Sequence, residues 1–404
     1  MADALNGRTI ELVKATVPAL EAHGLQILKE MYARMFQNPE IRDLFNQSHH
    51  GGEEGAQPRA LTAAILAYAN NIDNLSALAP AVERIAQKHV GLQILPEHYP
   101  YVGEALLGAI GAVLGDAATE EILEAWGEAY WFLANILIAR EQRVYEELSE
   151  AEGGWNGWRD FRVEEVVPES SVISSFILRP CDGEAVIRHK PGQYLTFWLD
   201  IPGHPPVKRN YSISNAPNGE FYRISVKREP QGLASGWLHE DAKAGTVLKV
   251  APPAGEFFME GKPARPVVLL SGGVGLTPLI AMLETLVAND ADVPVHYVHG
   301  THNRDTHAMR KHVRDLAAGA ANLKVSVFHQ TPLEDEAAGD DYDHAGIITD
   351  EWLTAETPVG QADYYICGPR PFLRAAVSAL SMNGVPADRI HYEFFGPADE
   401  LLAA

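Results

Sequence analysis

Three stretches of this sequence carry residues whose types and spacing could do chemistry. Arg209, Asn210, Tyr211 and Ser212 put a guanidinium, an amide, a phenol and a hydroxyl in four consecutive positions. Arg209 can pair bidentately with a pyrophosphate, Tyr211 can lay its ring against an isoalloxazine, and Ser212 can donate a hydrogen bond. The second stretch is "SGGVGLTP", residues 271–278, directly after the apolar run "PVVLL". Gly272, Gly273 and Gly275, with Val274 between, let a backbone approach phosphate. Leu276, Thr277 and Pro278 then open a helix, whose N-terminus favours anions. The stretch departs from the dinucleotide pattern G-x-G-x-x-G, because the third glycine is missing. The third, Cys367-Gly368-Pro369, also ends a strand and starts a helix, at the edge where doubly wound sheets place ligands. Each signal alone is weak, since a strand tyrosine is more often core.

A histidine adds a fourth question. Leu78, Val82, Ile85, Ala86 and His89 fall on one stripe of a 3.6-period helix, so an imidazole lies on an apolar face. Two readings stand: a core histidine satisfied by backbone partners, or a metal ligand reaching into an apolar pocket.

The elements that must position these residues divide the chain into three. Only 6 of the 26 prolines precede residue 151. The first part reads as helices, with stripes through Leu28, Tyr32 and Met35, through Leu61, Ile65 and Tyr68, through Tyr99, Val102 and Leu106, and through Trp126, Ala129 and Leu133. The first stripe stops at Asn38-Pro39. No strand-like alternation interrupts them, so an all-α domain is predicted over 1–147. "EGGWNGW" (152–158) reads as a hinge. Short β-rich runs separated by Pro, Gly, Asn and Asp follow, as in an antiparallel β-barrel domain over 154–262. From 265 to 404, buried strands such as "PVVLL", "VHYVHG" and "DYYICGP" alternate with helical segments such as "HAMRKHVRDLA", which implies an α/β doubly wound domain. The acidic stretch "LEDEAAGDDYD" (333–343) reads as a solvated loop.

Composition excludes several classes of function. A net charge of −22 argues against nucleic acid as a partner, because phosphate binding needs a basic face. The two cysteines, Cys181 and Cys367, suggest no disulfide framework and suit a reducing cytoplasm. The N-terminal residues carry charges throughout and lack a signal-peptide core. No apolar run approaches a ~20-residue membrane span; "WFLANILIA" is too short and ends at Arg140. A cytoplasmic protein without a membrane span is expected.

The order and spacing of the three motifs make a case that none makes alone. From residue 154 onward the sequence resembles the ferredoxin–NADP reductase family. That resemblance implies FAD on the barrel and NAD(P)H delivering hydride to it. Arg209, Asn210, Tyr211 and Ser212 would hold FAD, with Tyr194 of "PGQY" nearby. Glu393 and the following Phe394, Phe395, Gly396 and Pro397 resemble the family's flavin-covering end. Gly272 to Pro278, with Gly368 and Pro369, would meet the nicotinamide nucleotide, while Cys367 would sit near its reactive carbon. Asn210 stands where relatives more often carry Gln.

A helical domain joined to a flavin reductase needs an electron acceptor, and a haem on His89 would supply one. The whole chain resembles the flavohaemoglobins, a globin joined to an FAD- and NAD(P)H-binding reductase. The resemblance implies haem b, with His89 as the proximal iron ligand. Tyr32 and Gln57 correspond to distal polar residues, Leu61 closes the pocket, and Phe45 wedges against the porphyrin edge. Tyr99 and Glu141 correspond to a proximal hydrogen-bonding pair. Lys88 and Glu393 match positions thought to tune haem and flavin potentials. A carboxylate on His89 Nδ1–H makes the imidazole a stronger donor to iron. The stretch from Phe36 to Phe45 looks about one residue short of its relatives.

A fused reductase says the iron is oxidised in every cycle, which an oxygen store would not need. The resemblance implies a nitric oxide dioxygenase: two NO and two O2 become two nitrates per NAD(P)H. Its partners are then O2, NO and NADH or NADPH, and a monomer is expected. An oxygen-binding sensor or carrier with a repair reductase is the alternative; it predicts slow NADH use that NO does not accelerate. A flavin diaphorase indifferent to the loss of His89 is a second.

Overall fold

The computed structural model describes residues 5–44, 56–74 and 78–396. The chain divides into two compact units. The first is helical: α1 (Gly7–Ala15), α2 (Val17–Met35), α3 (Pro39–Arg42), α4 (Ala56–Asn70), α5 (Ala79–Leu92), α6 (Tyr99–Leu114) and α7 (Glu120–Glu150). Its core is the set of stripes read from periodicity. Leu28, Met31, Tyr32 and Met35 of α2 meet Tyr68 of α4, Leu106 and Ile110 of α6, and Trp126 and Ala129 of α7. Helix α2 ends at Met35, three residues before the predicted stop, and Asn38 instead caps α3 by accepting from Glu40 N at 2.9 Å. Helix α5 ends at Gln93, which takes the left-handed conformation at φ 58°. Gln93 N and Ile94 N then bond to the carbonyls of Val90 and His89 at 3.0 and 2.9 Å, closing the turn that carries His89.

The second unit holds two sheets. The first contains β1 (Arg159–Pro168), β2 (Ile173–Pro180), β3 (Tyr194–Leu199), β4 (Val207–Ser212), β5 (Tyr222–Lys227) and β6 (Val247–Val250), in the order β4-β3-β6-β1-β2-β5. An antiparallel bridge between Ile213 and Ile224 joins the continuation of β4 to β5 and closes the barrel. Helix α8 (Leu233–Glu240) follows β5. The second sheet contains β7 (Val267–Gly272), β8 (Val295–Thr301), β9 (Leu323–His329), β10 (His344–Ala345), β11 (Asp363–Cys367) and β12 (Ile390–Glu393). All its pairs are parallel, in the order β10-β9-β8-β7-β11-β12. Helices α9 (Leu276–Ala288), α10 (Arg310–Gly319), α11 (Asp350–Glu356) and α12 (Arg370–Met382) connect them. The chain winds outward from β7 to β10 and then returns to β11 on the other side. The switch point therefore lies between β7 and β11, where "SGGVGLTP" and "CGP" both end their strands.

The three architectures match those expected, with two local corrections. Helix α10 begins at Arg310 rather than at His307, because Met309 sits at φ 57° and a helix cannot run back through it. The acidic stretch 333–343 is not simply solvated: the Glu336 side chain is fully buried against His329, with Glu336 Oε2 2.5 Å from His329 Nδ1. Among the described residues, no helix is long and apolar enough to cross a membrane.

Candidate functional site

In the helical unit three predicted residues converge. His89 leaves the last turn of α5, Tyr99 opens α6, and Glu141 lies on the inward face of α7, 2% exposed. His89 Nδ1 is 2.8 Å from Glu141 Oε1, and Tyr99 OH donates to the same oxygen at 2.6 Å. The Nδ1 to Tyr99 OH distance is 3.1 Å. Burial, and then the charge of Glu141, push the Tyr99 phenol well above its ordinary range, so it stays a donor. A carboxylate accepts, so Nδ1 carries the ring proton and the Nε2 lone pair is left to bind a ligand. The two helices are tied beside this triad: Arg140 of α7 donates to both carboxylate oxygens of Glu83 in α5, at 2.7 and 3.0 Å. Tyr145 OH, further along α7, bonds to Ile94 O at 2.9 Å.

Tyr32 is 6% exposed in the helical core, and burial pushes its phenol up. Its ring lies 5.5 Å from that of Phe36, and Leu61 packs on the same cluster. Lys88 is exposed on α5. Phe45 and the side chain of Gln57 lie outside the described residues, as does Pro397.

These residues fit a haem. Among the described residues, no group of three or more His, Cys, Asp or Glu side chains could hold a metal ion. One anchored imidazole with a free Nε2 is what a haem iron would take from a protein that leaves a coordination position open for a small ligand. A haem is thus the metal group that this donor set can accept.

In the second unit, the barrel's β3 presents Tyr194 and Thr196 on one face, both buried. Tyr194 OH and Thr196 Oγ1 have no hydrogen-bond partner, an arrangement that costs free energy unless a bound group satisfies them. Thr196 was not singled out from the sequence, although it lies two residues from Tyr194 and so shares its face. Tyr211 stacks edge-on against Phe197 at 5.7 Å, and Ser212 is buried. Arg209 is partly buried, which lowers the affinity of its guanidinium for its proton, and Asn210 is exposed. The chain passes the Tyr194 ring at Gly255, where a Cβ would stand 2.9 Å from the ring carbons. Another signal left unread is the glycine ahead of α8. Gly232 occupies the N-cap without a side-chain hydrogen bond, a second helix N-terminus of the kind that favours anions.

On the other sheet, Gly273 to Gly275 form a tight turn into α9, whose N-cap likewise carries no side-chain bond. A Cβ on Gly275 would lie 2.2 Å from Cys367 O, so only glycine lets these two turns touch. Leu276 and Thr277 are buried, and these turns therefore offer backbone rather than side chains. Cys367 is fully buried, and burial with the charge of Glu393 raises its thiol well above the ordinary value. Cys367 and Glu393 are register partners on β11 and β12, and Glu393 also raises the Tyr194 phenol. Cys367 and Glu393 thus lie side by side on the second sheet, and the charge of Glu393 is felt at Tyr194 of the barrel. Phe394 is partly buried, Phe395 is exposed, and Gly396 follows them.

A helical haem-type domain followed by a barrel and a doubly wound nucleotide domain defines a haem protein fused to a reductase. The globin family model matches residues 29–137, and the oxidoreductase NAD-binding domain matches 269–378. A flavohemoprotein of Xylella fastidiosa strain 9a5c is 52% identical over 404 residues, covering all of both chains. One from Rhodopirellula baltica is 44% identical over 99% of this chain and all of its own. This chain belongs to the flavohemoprotein family. Among solved structures, the flavohemoglobin of Malassezia yamatoensis with bound FAD and haem aligns with a TM-score of 0.86 at 26% identity, over 98% of this chain and all of that one. The FAD/NAD-binding domain of nitric oxide dioxygenase from Vibrio cholerae aligns at a TM-score of 0.54 and 38% identity, over 59% of this chain and 99% of that one.

Proposed function

We propose that this protein is a nitric oxide dioxygenase, driven by NAD(P)H through FAD and haem b, acting as a cytoplasmic monomer on dissolved small molecules. When bound, the two cofactors supply oxygen activation and the splitting of a hydride into single electrons, so that NO and O2 become nitrate. Everything else is done by the chain. His89 holds the iron through Nε2, and Glu141 fixes the ring's tautomer and raises its donor strength. Tyr99 completes that contact by sharing the carboxylate. Tyr32 offers buried hydrogen-bond donation in the pocket that Leu61 closes, while the roles of Gln57 as a second donor and of Phe45 as a wedge against the porphyrin edge rest on the family resemblance. Arg209, Asn210, Tyr211 and Ser212 bind FAD, assisted by Tyr194. Residues 272–278 and 367–369 bring the nicotinamide to it, and the stretch from Glu393 to Gly396 covers the flavin, a role the family resemblance extends to Pro397. Lys88 and Glu393 set the local charge beside the two cofactors.

The observation that carries this reading is the His89–Glu141–Tyr99 triad in a chain whose other half is an NAD-binding oxidoreductase. A strongly donating imidazole suits iron that is oxidised and re-reduced. The test is an NO-electrode trace on the purified protein with NADH or NADPH, with and without oxygen. We expect rapid NO loss with nitrate formed, dependent on both oxygen and the reduced nucleotide. Nucleotide oxidation that NO does not accelerate would assign the chain to oxygen carriage or sensing.

The flavin contact gives a separate expectation. Arg209→Ala removes a partly buried charge-assisted pair with a pyrophosphate, worth about 1.5–3 kcal/mol, or about tenfold to a hundredfold in affinity. FAD content should fall on gel filtration while haem content is retained. Normal flavin affinity in this variant would remove Arg209 from the site.

A further inference from the structure

Barrel and dinucleotide domain meet in the second unit through a largely apolar contact. Ile173, Phe257 and Met259 of the barrel pack with Leu279, Met282 and Leu283 of α9. Such packing is strong but not directional, so by itself it does not fix how α9 is angled against the barrel. At the end of this contact lies Glu284, its side chain 14% exposed. Its carboxylate accepts from three donors. Arg223 Nη2 of β5 lies at 2.6 Å, Ala216 N at 2.7 Å and His312 Nε2 of α10 at 2.7 Å. Burial opposes its ionisation, but His312 and Arg223 outweigh that and hold the carboxyl below its usual range.

Arg223 reaches in the other direction as well. Its Nε donates to Ser214 Oγ at 3.2 Å and its Nη2 to Ser214 O. Ser214 lies two residues beyond Ser212, on the continuation of the strand carrying Arg209 and Tyr211. One guanidinium thus links the flavin-type strand to α9, the helix that begins at the glycine turn. The pair's geometry is directional, as the apolar contact is not, and setting register is the best-attested role of a buried ion pair.

We propose that Glu284 and Arg223 are positioning residues whose pair sets the approach of the nicotinamide turn to the flavin-binding strand. This rests on the reading that NAD(P)H reduces FAD on the barrel. Glu284 is eight residues along α9 from Leu276, about 12 Å at ~1.5 Å per residue. A small rotation at Glu284 is therefore carried to the turn. Misplacement of reacting atoms by ~1 Å costs on the order of a hundredfold in rate.

The test is stopped-flow bleaching of flavin by NADH in the holoprotein, comparing wild type with Glu284→Gln, Arg223→Gln and the double variant. We expect normal FAD and haem content and an NADH Kd within about threefold of wild type. The saturating bleaching rate should fall roughly tenfold to a hundredfold. The deuterium isotope effect with 4-deuterated NADH should rise, and the double variant should be no slower than the slower single. Bleaching at saturation within twofold of wild type, an unchanged isotope effect, or fully additive losses would overturn the proposal. If Glu284→Gln does not retain FAD, Arg223→Lys is used. It keeps the charge but not the fork that joins Glu284 to Ser214, and the same outcomes decide. A wild type that NADH does not bleach would instead refute the flavin reading on which the proposal rests.

Discussion

His89→Ala is expected to abolish the haem Soret band while leaving flavin absorbance and NADH-dependent dye reduction intact. Glu141 holds the imidazole ready, with Nδ1 at 2.8 Å from the carboxylate. Its loss leaves Glu141 and Tyr99 hydrogen-bonded to each other at 2.6 Å, a contact that does not depend on the histidine. The helical core built on Tyr32, Tyr68 and Trp126 does not include His89, so the domain should stay folded. Circular dichroism is expected to show near-native helix content with absorbance at the haem band gone. Unchanged haem content after purification would mean that another residue ligates iron. Dye reduction lost together with haem would mean that the reductase does not function independently of it.

Tyr32→Phe isolates the other side of the proposed pocket. It deletes one hydroxyl and leaves the aromatic volume almost unchanged in a site where the ring is 6% exposed. Burial holds the phenol protonated far above neutral pH, so at any working pH Tyr32 acts as a donor and not as a base. Tyr32 would donate to an oxygen ligand carrying partial negative charge, and a buried donor to a charged acceptor exceeds the ~1 kcal/mol of an ordinary hydrogen bond. A loss of ~2 kcal/mol corresponds to roughly thirtyfold faster oxygen release from the reduced protein. NO consumption should slow, while NADH-to-flavin reduction should not change. If Tyr32 served packing alone, Phe would be nearly silent. An oxygen off-rate within twofold of wild type in stopped flow would therefore remove Tyr32 from the mechanism.

Much of this protein was legible in the sequence because the signals concerned are local. An imidazole on a 3.6-period apolar stripe marked His89, and the structure ends α5 one turn later by a left-handed Gln93. Period and turn chemistry likewise marked the change from helices to barrel to parallel sheet, since each is written within ten or so residues. The glycine turn and the "CGP" turn were each visible, and their order and spacing carried the family resemblance.

Tertiary structure decided the pairings. Glu141 reaches His89 across 52 residues, and Arg223 reaches Glu284 across 61. Glu141 lies four residues after Leu137, at the border of the apolar stripe of α7, and the crossing of α5 and α7 is what turns it inward. Gly275 looked like a phosphate-loop glycine, but its lack of a Cβ is required by Cys367 O, a contact made only when β7 and β11 lie side by side. Glu336 sits in an acidic run that reads as solvated, and it is buried because His329 and the amide of Arg304 offer it donors. Helix α10 starts late because Met309 takes a positive φ that its side chain does not advertise. In each case a residue's neighbours along the chain fix its periodicity and local conformation. Its charge state, burial and partners depend on segments that only folding brings within hydrogen-bonding distance.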